Sequence, residues 1–262
     1  MGDVDEALRE LHRARRAPLR IRVCGHPGVG VRTLAAALVT RFRVDARCGP
    51  LRDGCEQSGE DPAGDDLICQ VLGAGVRGCD LRALARYRIP VLVVAGRADQ
   101  RGGQVRAAAL AGQAAARLGR PVYPVAALPG GARVDGDDLA LLRGWAGAGV
   151  RVPALPAGFV DVAAGAERRR RAGLLHRYGP DGLSRLLAAL AGPGGAELDA
   201  AAATGLLRAA GGLEQLVAPL HALGPAVRRR RDARFAAELS ALAAAGPGRD
   251  RIELLAQRAG RE

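Results

Sequence analysis

The feature that most constrains this chain is a glycine-rich turn between a short apolar strand and a helix-forming run. Residues 21–33 read I-R-V-C-G-H-P-G-V-G-V-R-T, and L-A-A-A-L-V follows. Gly25 and Gly30 have the spacing of G-x-x-x-x-G-K-[ST], a loop whose backbone amides surround a phosphate, whose lysine contacts it and whose hydroxyl binds Mg²⁺. Here Val31 stands at the lysine position and Arg32 at the hydroxyl position. The turn therefore predicts the backbone of a phosphate-binding loop without two of its chemical groups.

The residues around these two gaps leave alternatives open. A guanidinium at Arg32 either takes the place of the cation and contacts phosphate directly, or extends into solvent. Thr33 carries a hydroxyl one residue too late, because one helical step rotates a side chain by about 100°. His26, inside the turn, is either a phosphate contact or an ordinary turn residue. The turn itself is either a remnant phosphate loop or a tight connection without a ligand.

Composition limits the partners of the chain. All 39 basic residues are arginines, and the net charge of +12 attracts nucleic acid, an anionic membrane face or an acidic protein. Aromatic residues make up only 3%, which leaves few stacking platforms and argues against nucleic acid. The arginine runs at 168–171 and 228–231 are interpreted as solvated, membrane-touching or protein-binding faces, spread around their helices.

The sequence predicts a cytoplasmic protein, either free or peripheral at the inner membrane face. No run of 18 apolar residues lacks a charge, and the N-terminus has no apolar core of a secretory signal. The chain has five cysteines, an odd number that cannot all pair in disulfides, and no two of them form a C-x-x-C motif. We therefore expect reduced thiols and no zinc site.

Hydrophobic patterning predicts the α/β class, with a mostly parallel sheet flanked by helices and a smaller all-α domain after it. Runs such as V-L-V-V-A are nearly continuous apolar stretches, which is typical of buried parallel strands. The predicted strands lie at 19–24, 67–72, 90–95 and 121–125, and the helices between them at 34–41, 81–88 and 103–118.

Three segments are predicted along the chain. Residues 1–18 contain an amphipathic helix that is expected to pack on the helical domain, since its apolar face must be buried. The sheet domain covers 19–150, and a proline-containing linker leads into the helical domain at 151–262. Gly-Pro steps that begin at residues 179, 192, 224 and 246 are predicted to break this domain into four to six helices.

Two later segments resemble the base-reading elements of GTPases. Residues 96–99 read G-R-A-D after V-L-V-V-A, where the motif is N-K-x-D, so Asp99 stands where a carboxylate accepts guanine protons. Arg97 replaces the lysine that covers the base, and its planar head can still stack. The turn A-A-L at 126–128 resembles the S-A-[KL] turn, in which a backbone amide, here near Ala127, reads the guanine carbonyl. The alternative interpretation is that this segment is an ordinary connection after a strand and that Asp99 is a solvated residue without a ligand.

In this order and spacing, the motifs resemble the translation-factor-like class of P-loop GTPases, and in particular bacterial dynamin-like proteins, over residues 19–150. Segments 174–183 and 211–238 look like helical segments that follow the GTPase domain in such proteins. The resemblance implies GTP binding, frequent action at membranes and work in pairs. GTP or GDP, weakly held and without a Mg²⁺ site, is thus the ligand to test, and an intact dynamin-like GTPase is the partner to test.

The departures from that family predict lost catalysis. After Thr40 the next threonine is Thr204, so no threonine stands where the family senses the γ-phosphate. D-P-A-G at residues 61–64 follows a polar segment and is interpreted as a chance match to D-x-x-G. Phosphoryl transfer relies on positioning and on cations, and the loss of one such donor commonly costs about 10²–10³ in rate. The missing lysine, metal ligand and threonine together predict negligible turnover.

The sequence therefore predicts a pseudo-GTPase-like partner or scaffold protein, with no catalytic residue and no metal ligand assigned. The alternatives are a residual guanine-nucleotide-binding protein and a basic membrane-surface or nucleic-acid-binding protein. The candidate cofactor-binding residues are Gly25, Gly28, Gly30, Arg32, Thr33, Arg97, Asp99 and Ala127.

Overall fold

A central parallel sheet organises the N-terminal half of the chain. A computed structural model describes residues 2–49 and 64–244. The strands are β1 (Arg20–Gly25), β2 (Asp45–Cys48), β3 (Leu67–Leu72), β4 (Val91–Ala95) and β5 (Tyr123–Pro124). They stand in the order β2-β1-β3-β4-β5, and every neighbouring pair is parallel. The predicted α/β class, with a parallel sheet flanked by helices and a helical region after it, is confirmed.

Helices cover the sheet and make up the C-terminal part of the described chain. Two 3₁₀ turns, Ala98–Gln100 and Leu213–Leu216, accompany them. None of the helices within residues 2–49 and 64–244 combines the length and the apolar character needed to cross a bilayer. The α-helices are α1 (Gly2–Arg16), α2 (Val31–Phe42), α3 (Gly78–Arg86), α4 (Gln104–Leu118), α5 (Ala127–Gly131), α6 (Gly136–Gly147), α7 (Pro156–Asp161), α8 (Gly165–Ala191), α9 (Ala200–Gly211) and α10 (Val217–Ala244).

Different helices cover the two faces of the sheet. On one face, Ile21 and Val94 pack against Leu38 of α2 and against the turn that precedes α10. On the other face, Val93 packs against α3 and against Ala111 of α4. Every residue of β3 is buried. A strand covered on both faces reads as a continuous apolar run, which is why β3 and β4 were predictable from the sequence.

The edge strand β2 was not predicted. Its four residues read D-A-R-C, and none of them is buried. Asp45 and Arg47 form an ion pair on its surface, with 2.7 Å between Oδ2 and the guanidinium. A short, polar strand of this kind is suited to a sheet edge but carries no apolar periodicity.

The strand order fixes where a ligand would bind. β1 lies between β2 and β3, so the chain first moves to one side of β1 and then returns to the other side. In doubly wound sheets, ligands occupy the crevice at the carboxyl ends of the strands where the order reverses. The glycine-rich turn after β1 lies at that point. Families with unrelated ligands share this order, so it fixes the place of a site but not its chemistry.

A second hydrophobic core lies among the later helices. Trp145 of α6 and Phe159 of α7 pack in it with Tyr178 of α8 and Leu207 of α9. Within this core, the rings of Trp145 and Phe159 meet edge to face with centroids 5.7 Å apart. Helix α6 thus packs with the helices that follow residue 150, although the predicted boundary assigned its residues to the sheet domain.

The N-terminal helix packs along α10. Leu8 contacts Phe235 and Leu239, and Arg15 pairs with Asp232 at 2.8 Å. Helix α10 also supplies Leu220 to the core beneath the sheet. Through α10, helix α1 is therefore joined to the sheet as well as to the helical region.

Arg231 connects α10 to the start of the sheet. Its guanidinium donates to Asp66 Oδ1 at 3.0 Å and to the carbonyls of Ala17 and Pro18 at 2.7 and 2.9 Å. Asp66 is 1% exposed and also accepts from the Arg20 backbone N–H at 2.9 Å. A buried ion pair survives only when its other hydrogen-bonding groups are satisfied, as they are here.

The arginine runs are therefore not uniform surfaces. Arg171 points inward, donates to the Phe159 carbonyl at 3.2 Å and lies over the rings of Trp145 and Phe159 at 5.6 and 5.0 Å. Arg231 is likewise internal. The interpretation of both runs as solvated or partner-binding faces is wrong for these two residues, because helical periodicity turns part of any such run toward the core. The exposed members are Arg168, Arg169, Arg170, Arg228 and Arg229.

The predicted helix breaks have different outcomes. Gly179 has non-helical dihedrals (φ 71°, ψ 167°) and kinks α8, and α8 ends before Gly192, so both of these breaks are confirmed. Pro225 lies inside α10, and the predicted break at this position is wrong. Packing at both ends of α10 outweighs the local cost of a proline in a helix. The step at 246–247 and most of D-P-A-G (61–64) lie outside the described residues.

Helices α5 and α9 cross at a pair of glycines. A Cβ added to Gly211 would lie 2.1 Å from Gly130 Cα and 2.5 Å from Gly130 N. The Ala126 backbone N–H donates to the Gly211 carbonyl at 2.9 Å at the same crossing. This contact holds the turn after β5 against the helical region. By contrast, a Cβ at Gly205, in the middle of α9, would meet nothing within 4 Å.

We predict that Gly211→Ala lowers the free energy of unfolding by about 1–3 kcal/mol, because backbone atoms cannot move aside for the new methyl group. Gly205→Ala is the matched control and should raise it by about 0.5–1 kcal/mol through helix propensity. Urea unfolding followed by circular dichroism measures both. Equal effects of the two substitutions would contradict the close crossing of α5 and α9.

Candidate functional site

The turn after β1 has the backbone shape of an anion-binding loop. Gly28 and Gly30 have φ values of 84° and 97°, which side chains rarely allow. Gly30 is the residue before α2, and Val29 N–H bonds to the His26 carbonyl at 3.3 Å. The turn leads directly into the N-terminus of α2, where unpaired amides and the helix dipole favour negative charge.

Two close backbone approaches fix this loop on the sheet. A Cβ at Gly25 would lie 2.7 Å from the Val71 carbonyl oxygen of β3. A Cβ at Gly96 would lie 2.4 Å from the Val29 carbonyl oxygen of the loop. The loop can therefore rest on the ends of β3 and β4 only because both positions are glycine.

An open cleft of about 610 Å³ lies in front of the loop. Arg32 and Arg97 are the basic side chains along it, and no acidic residue occurs in the first turn of α2. The cleft is therefore electropositive and has the size of a small-molecule site. Its lining residues are Gly25, His26, Pro27, Gly28, Gly30, Val31, Arg32, Thr33, Gly49 and Arg97.

The side chains at the two altered motif positions diverge. Val31 is half-buried and packs against the sheet core, and a Cβ at Gly25 would lie 3.0 Å from its Cγ2. Arg32 is exposed. The position of the lysine thus holds a half-buried apolar residue that packs against the core, while the position of the hydroxyl carries a long cationic side chain that lines the cleft.

A second, smaller cavity of about 120 Å³ adjoins the cleft. Gly30, Thr33 and Arg97 line both cavities, whereas Asp99 and Ala127 line only the smaller one. The structure therefore gathers all the candidate cofactor-binding residues around two adjoining spaces. The space in front of the loop is the larger of the two, and the cavity that Asp99 and Ala127 line is the smaller.

The kink of α8 closes the narrow end. A Cβ at Gly179 would lie 3.1 Å from Leu128 Cδ2 and 3.8 Å from Asp99 Oδ2. Burial is the main cause that raises the pKa of Asp99 above its ordinary value, and Asp181 adds to this effect. Arg97 and Arg101 act in the opposite direction. Asp99 is thus a partly desolvated carboxylate beneath the helical region.

Arg97 adopts a conformation that is uncommon for its residue type. Its φ is 53°, in the left-handed region. A Cβ at Gly30 would lie 3.8 Å from Arg97 Cγ, so the arginine stem passes over the loop. Its guanidinium reaches Gln100 Oε1 at 3.4 Å. Strained backbone of this kind is concentrated at functional sites, because only the surrounding structure holds it in place.

In the turn at 126–128, fewer backbone amides are free to bind a base than the S-A-[KL] motif implies. Ala126 N–H already bonds to the Gly211 carbonyl, and Ala127 begins the short helix α5. Ala127 and Leu128, at the start of α5, line the smaller cavity. Helix α9 thereby constrains the element that would read a base.

Arg101, whose guanidinium connects the loops that follow β3 and β4, was not identified from the sequence. Arg101 donates to the Gly96 carbonyl at 2.7 Å and also bonds to the Gly73 carbonyl. Burial lowers the pKa of Arg101, and Asp99 acts against this shift. No motif marks a residue that braces two loops through their carbonyls. A second missed group joins His26 to Cys79 and Asp80.

We predict that Asp99→Asn raises the melting temperature at neutral pH, because a raised pKa means that folding disfavours the ionised carboxylate. The gain should shrink as the pH falls through the raised pKa, where the wild-type carboxyl becomes protonated. Thermal unfolding from pH 7.5 to pH 4 measures it. A variant less stable than wild type at neutral pH would contradict this account of Asp99.

Comparison with known proteins adds no relative to this picture. The chain matches no family model, no curated protein and no solved structure. The resemblance to GTPases therefore stays an expectation from the sequence motifs.

Proposed function

We propose that this protein is a pseudo-GTPase that works as a partner or scaffold protein and performs little or no hydrolysis. The observation that carries the proposal is the contrast within residues 25–33. The loop backbone keeps its shape, with Gly28 and Gly30 at positive φ before a helix N-terminus. The lysine position holds Val31, which packs against the sheet core.

The charges around the loop support binding without turnover. Arg32 and Arg97 line the cleft, and a guanidinium binds phosphate oxygens well. Hydrolysis also requires a divalent cation that bridges the phosphates and a group that positions the attacking water. The hydroxyl position is Arg32, which repels a divalent cation and does not ligate it.

A partner role follows from this loss. A protein that has the fold of a GTPase but does not hydrolyse GTP is expected to act by binding another molecule. By the stated resemblance, the partner to test is an intact dynamin-like GTPase. That this protein binds the inner face of the membrane is a further prediction from the same resemblance.

We predict that the purified chain releases no phosphate from GTP above the buffer rate when Mg²⁺ is present, since the groups that stabilise the transition state are lost. Single-turnover measurement with excess protein provides the sensitivity. The control is Gly30→Val, which strains the loop at a φ of 97°. Mg²⁺-dependent release that disappears in Gly30→Val would contradict the proposal.

A residual guanine-nucleotide-binding protein is the second candidate. The open cleft at the loop favours it, because this space continues into the cavity that Asp99 and Ala127 line. The volume of about 120 Å³ at the base end is below the usual 300–1,000 Å³ of ligand pockets. A bound base would therefore have to displace Leu128 or the kink of α8.

For this second candidate, we predict that GTP, GDP and tripolyphosphate at millimolar concentration raise the melting temperature, and that Arg32→Ala weakens binding about tenfold. The matched control is Arg169→Ala, which removes an exposed arginine of α8. Equal shifts with tripolyphosphate and GTP indicate a phosphate site without base reading. No shift with any of the three ligands rejects nucleotide binding and leaves the scaffold role.

A further inference from the structure

A cluster of three metal-binding residue types lies beside the loop. His26 comes from the glycine-rich turn, and Cys79 and Asp80 come from the first turn of α3. One atom from each residue can be chosen so that all three lie within 4.8 Å of one another. Two of its three members lie outside the proposed nucleotide site, because Cys79 and Asp80 line neither the cleft nor the smaller cavity.

The distances suit tetrahedral coordination. His26 Nε2 lies 2.9 Å from Cys79 Sγ and 3.9 Å from Asp80 Oδ1. Ligand atoms around zinc are separated by roughly 3.3–3.8 Å, given bond lengths of about 2.0–2.3 Å. Shifts of less than about 1 Å would therefore bring these atoms into coordination.

The same imidazole nitrogen faces both partners. In a Cys–His–Asp catalytic triad, the carboxylate would bond to the other ring nitrogen and orient the histidine. Here Nε2 of His26 lies toward both the Cys79 sulfur and the Asp80 oxygen. Three donor atoms that lie this close together are typical of a metal site. They are not arranged as in a catalytic triad, where the carboxylate and the thiol contact different nitrogens of the histidine.

The carboxylate has a built outer shell. Asp80 is 0% exposed, and its Oδ1 accepts from Gln70 Nε2 at 3.1 Å. Its Oδ2 accepts from the Arg77 backbone N–H at 2.9 Å. Gln70, itself buried in the middle of β3, accepts from the Tyr87 hydroxyl at 3.2 Å. Such hydrogen bonds orient metal-ligating carboxylates in proteins.

We propose that His26, Cys79 and Asp80 form a zinc-type transition-metal site. A thiolate and an imidazole select zinc over Mg²⁺ or Ca²⁺, which prefer oxygen ligands. Three protein ligands leave the fourth position for water or for a ligand, as in catalytic zinc sites. His26 also lines the cleft, so the metal would tie the loop to α3 at the edge of that cleft.

The proposed site departs from the sequence-based expectation of no zinc site, which rested on cysteine spacing. His26 and Cys79 are 53 positions apart. The ligands come from two different strand exits, so no C-x-x-C or His-x-His pattern records them. Only the parallel pairing of β1 with β3 brings the two segments together.

Cobalt(II) titration of the full-length, chelator-treated protein tests the proposal. We expect one cobalt ion per chain, visible d–d bands and a thiolate-to-cobalt charge-transfer band in the near ultraviolet, all removed by zinc. His26→Ala and Cys79→Ser should each weaken cobalt binding by more than about 100-fold, beyond the effect of losing an outer-shell partner. The control Cys48→Ser removes an exposed thiol of β2 and should bind as wild type.

Folding is checked separately for each variant by circular dichroism, and the result does not depend on nucleotide binding. Asp80 also caps α3, so the test relies on the variants of His26 and Cys79. A charge-transfer band that persists in Cys79→Ser, or cobalt affinity unchanged in folded His26→Ala, would overturn the site. Absence of the band in wild type would leave only a thiol–imidazole hydrogen bond and would also overturn it.

Discussion

The candidate site depends on close contact between the loop after β1 and the ends of its neighbouring strands. Gly25 lies against the Val71 carbonyl, and Gly96 lies against the Val29 carbonyl, at distances that exclude any Cβ. This contact lets the loop turn over the carboxyl edge of β3 and β4 and lead directly into the N-terminus of α2. The electropositive cleft, the path of Arg97 and the approach of His26 to α3 all follow from this placement.

The close contact of the loop with the sheet requires only glycines, so it fixes the anion-binding backbone without fixing the side chains that catalysis needs. Amides and a helix N-terminus attract anions whatever the side chains are. Selective chemistry on a triphosphate needs an ammonium, a metal and a positioned water. At the two motif positions this chain has a half-buried valine and an exposed arginine, so the features that favour an anion are those of the backbone.

Sequence patterns predicted the elements with local signals and missed those without them. β3 and β4 were predictable because burial on both faces leaves continuous apolar runs, and the kink at Gly179 was predictable from Gly-Pro. β2 carries no such run, and Pro225 lies within a helix that packs at both ends. The candidate residues from Gly25 to Ala127 surround one region, as parallel strand exits must. The brace of Arg101, the Gly130–Gly211 crossing and the His26–Cys79–Asp80 cluster depend on tertiary distance, which no spacing rule records.

The central proposal is that the loop has the shape of a phosphate-binding loop but does not use a divalent cation. The most direct measurement is the backbone amide spectrum of residues 28–33 in ¹⁵N-labelled protein with GTP, recorded with and without Mg²⁺. With GTP raised until the protein is equally saturated in both conditions, the account predicts the same amide shifts with and without Mg²⁺, whether or not GTP itself moves them. Mg²⁺-dependent shifts of the Gly30 to Thr33 amides in the presence of GTP would contradict it.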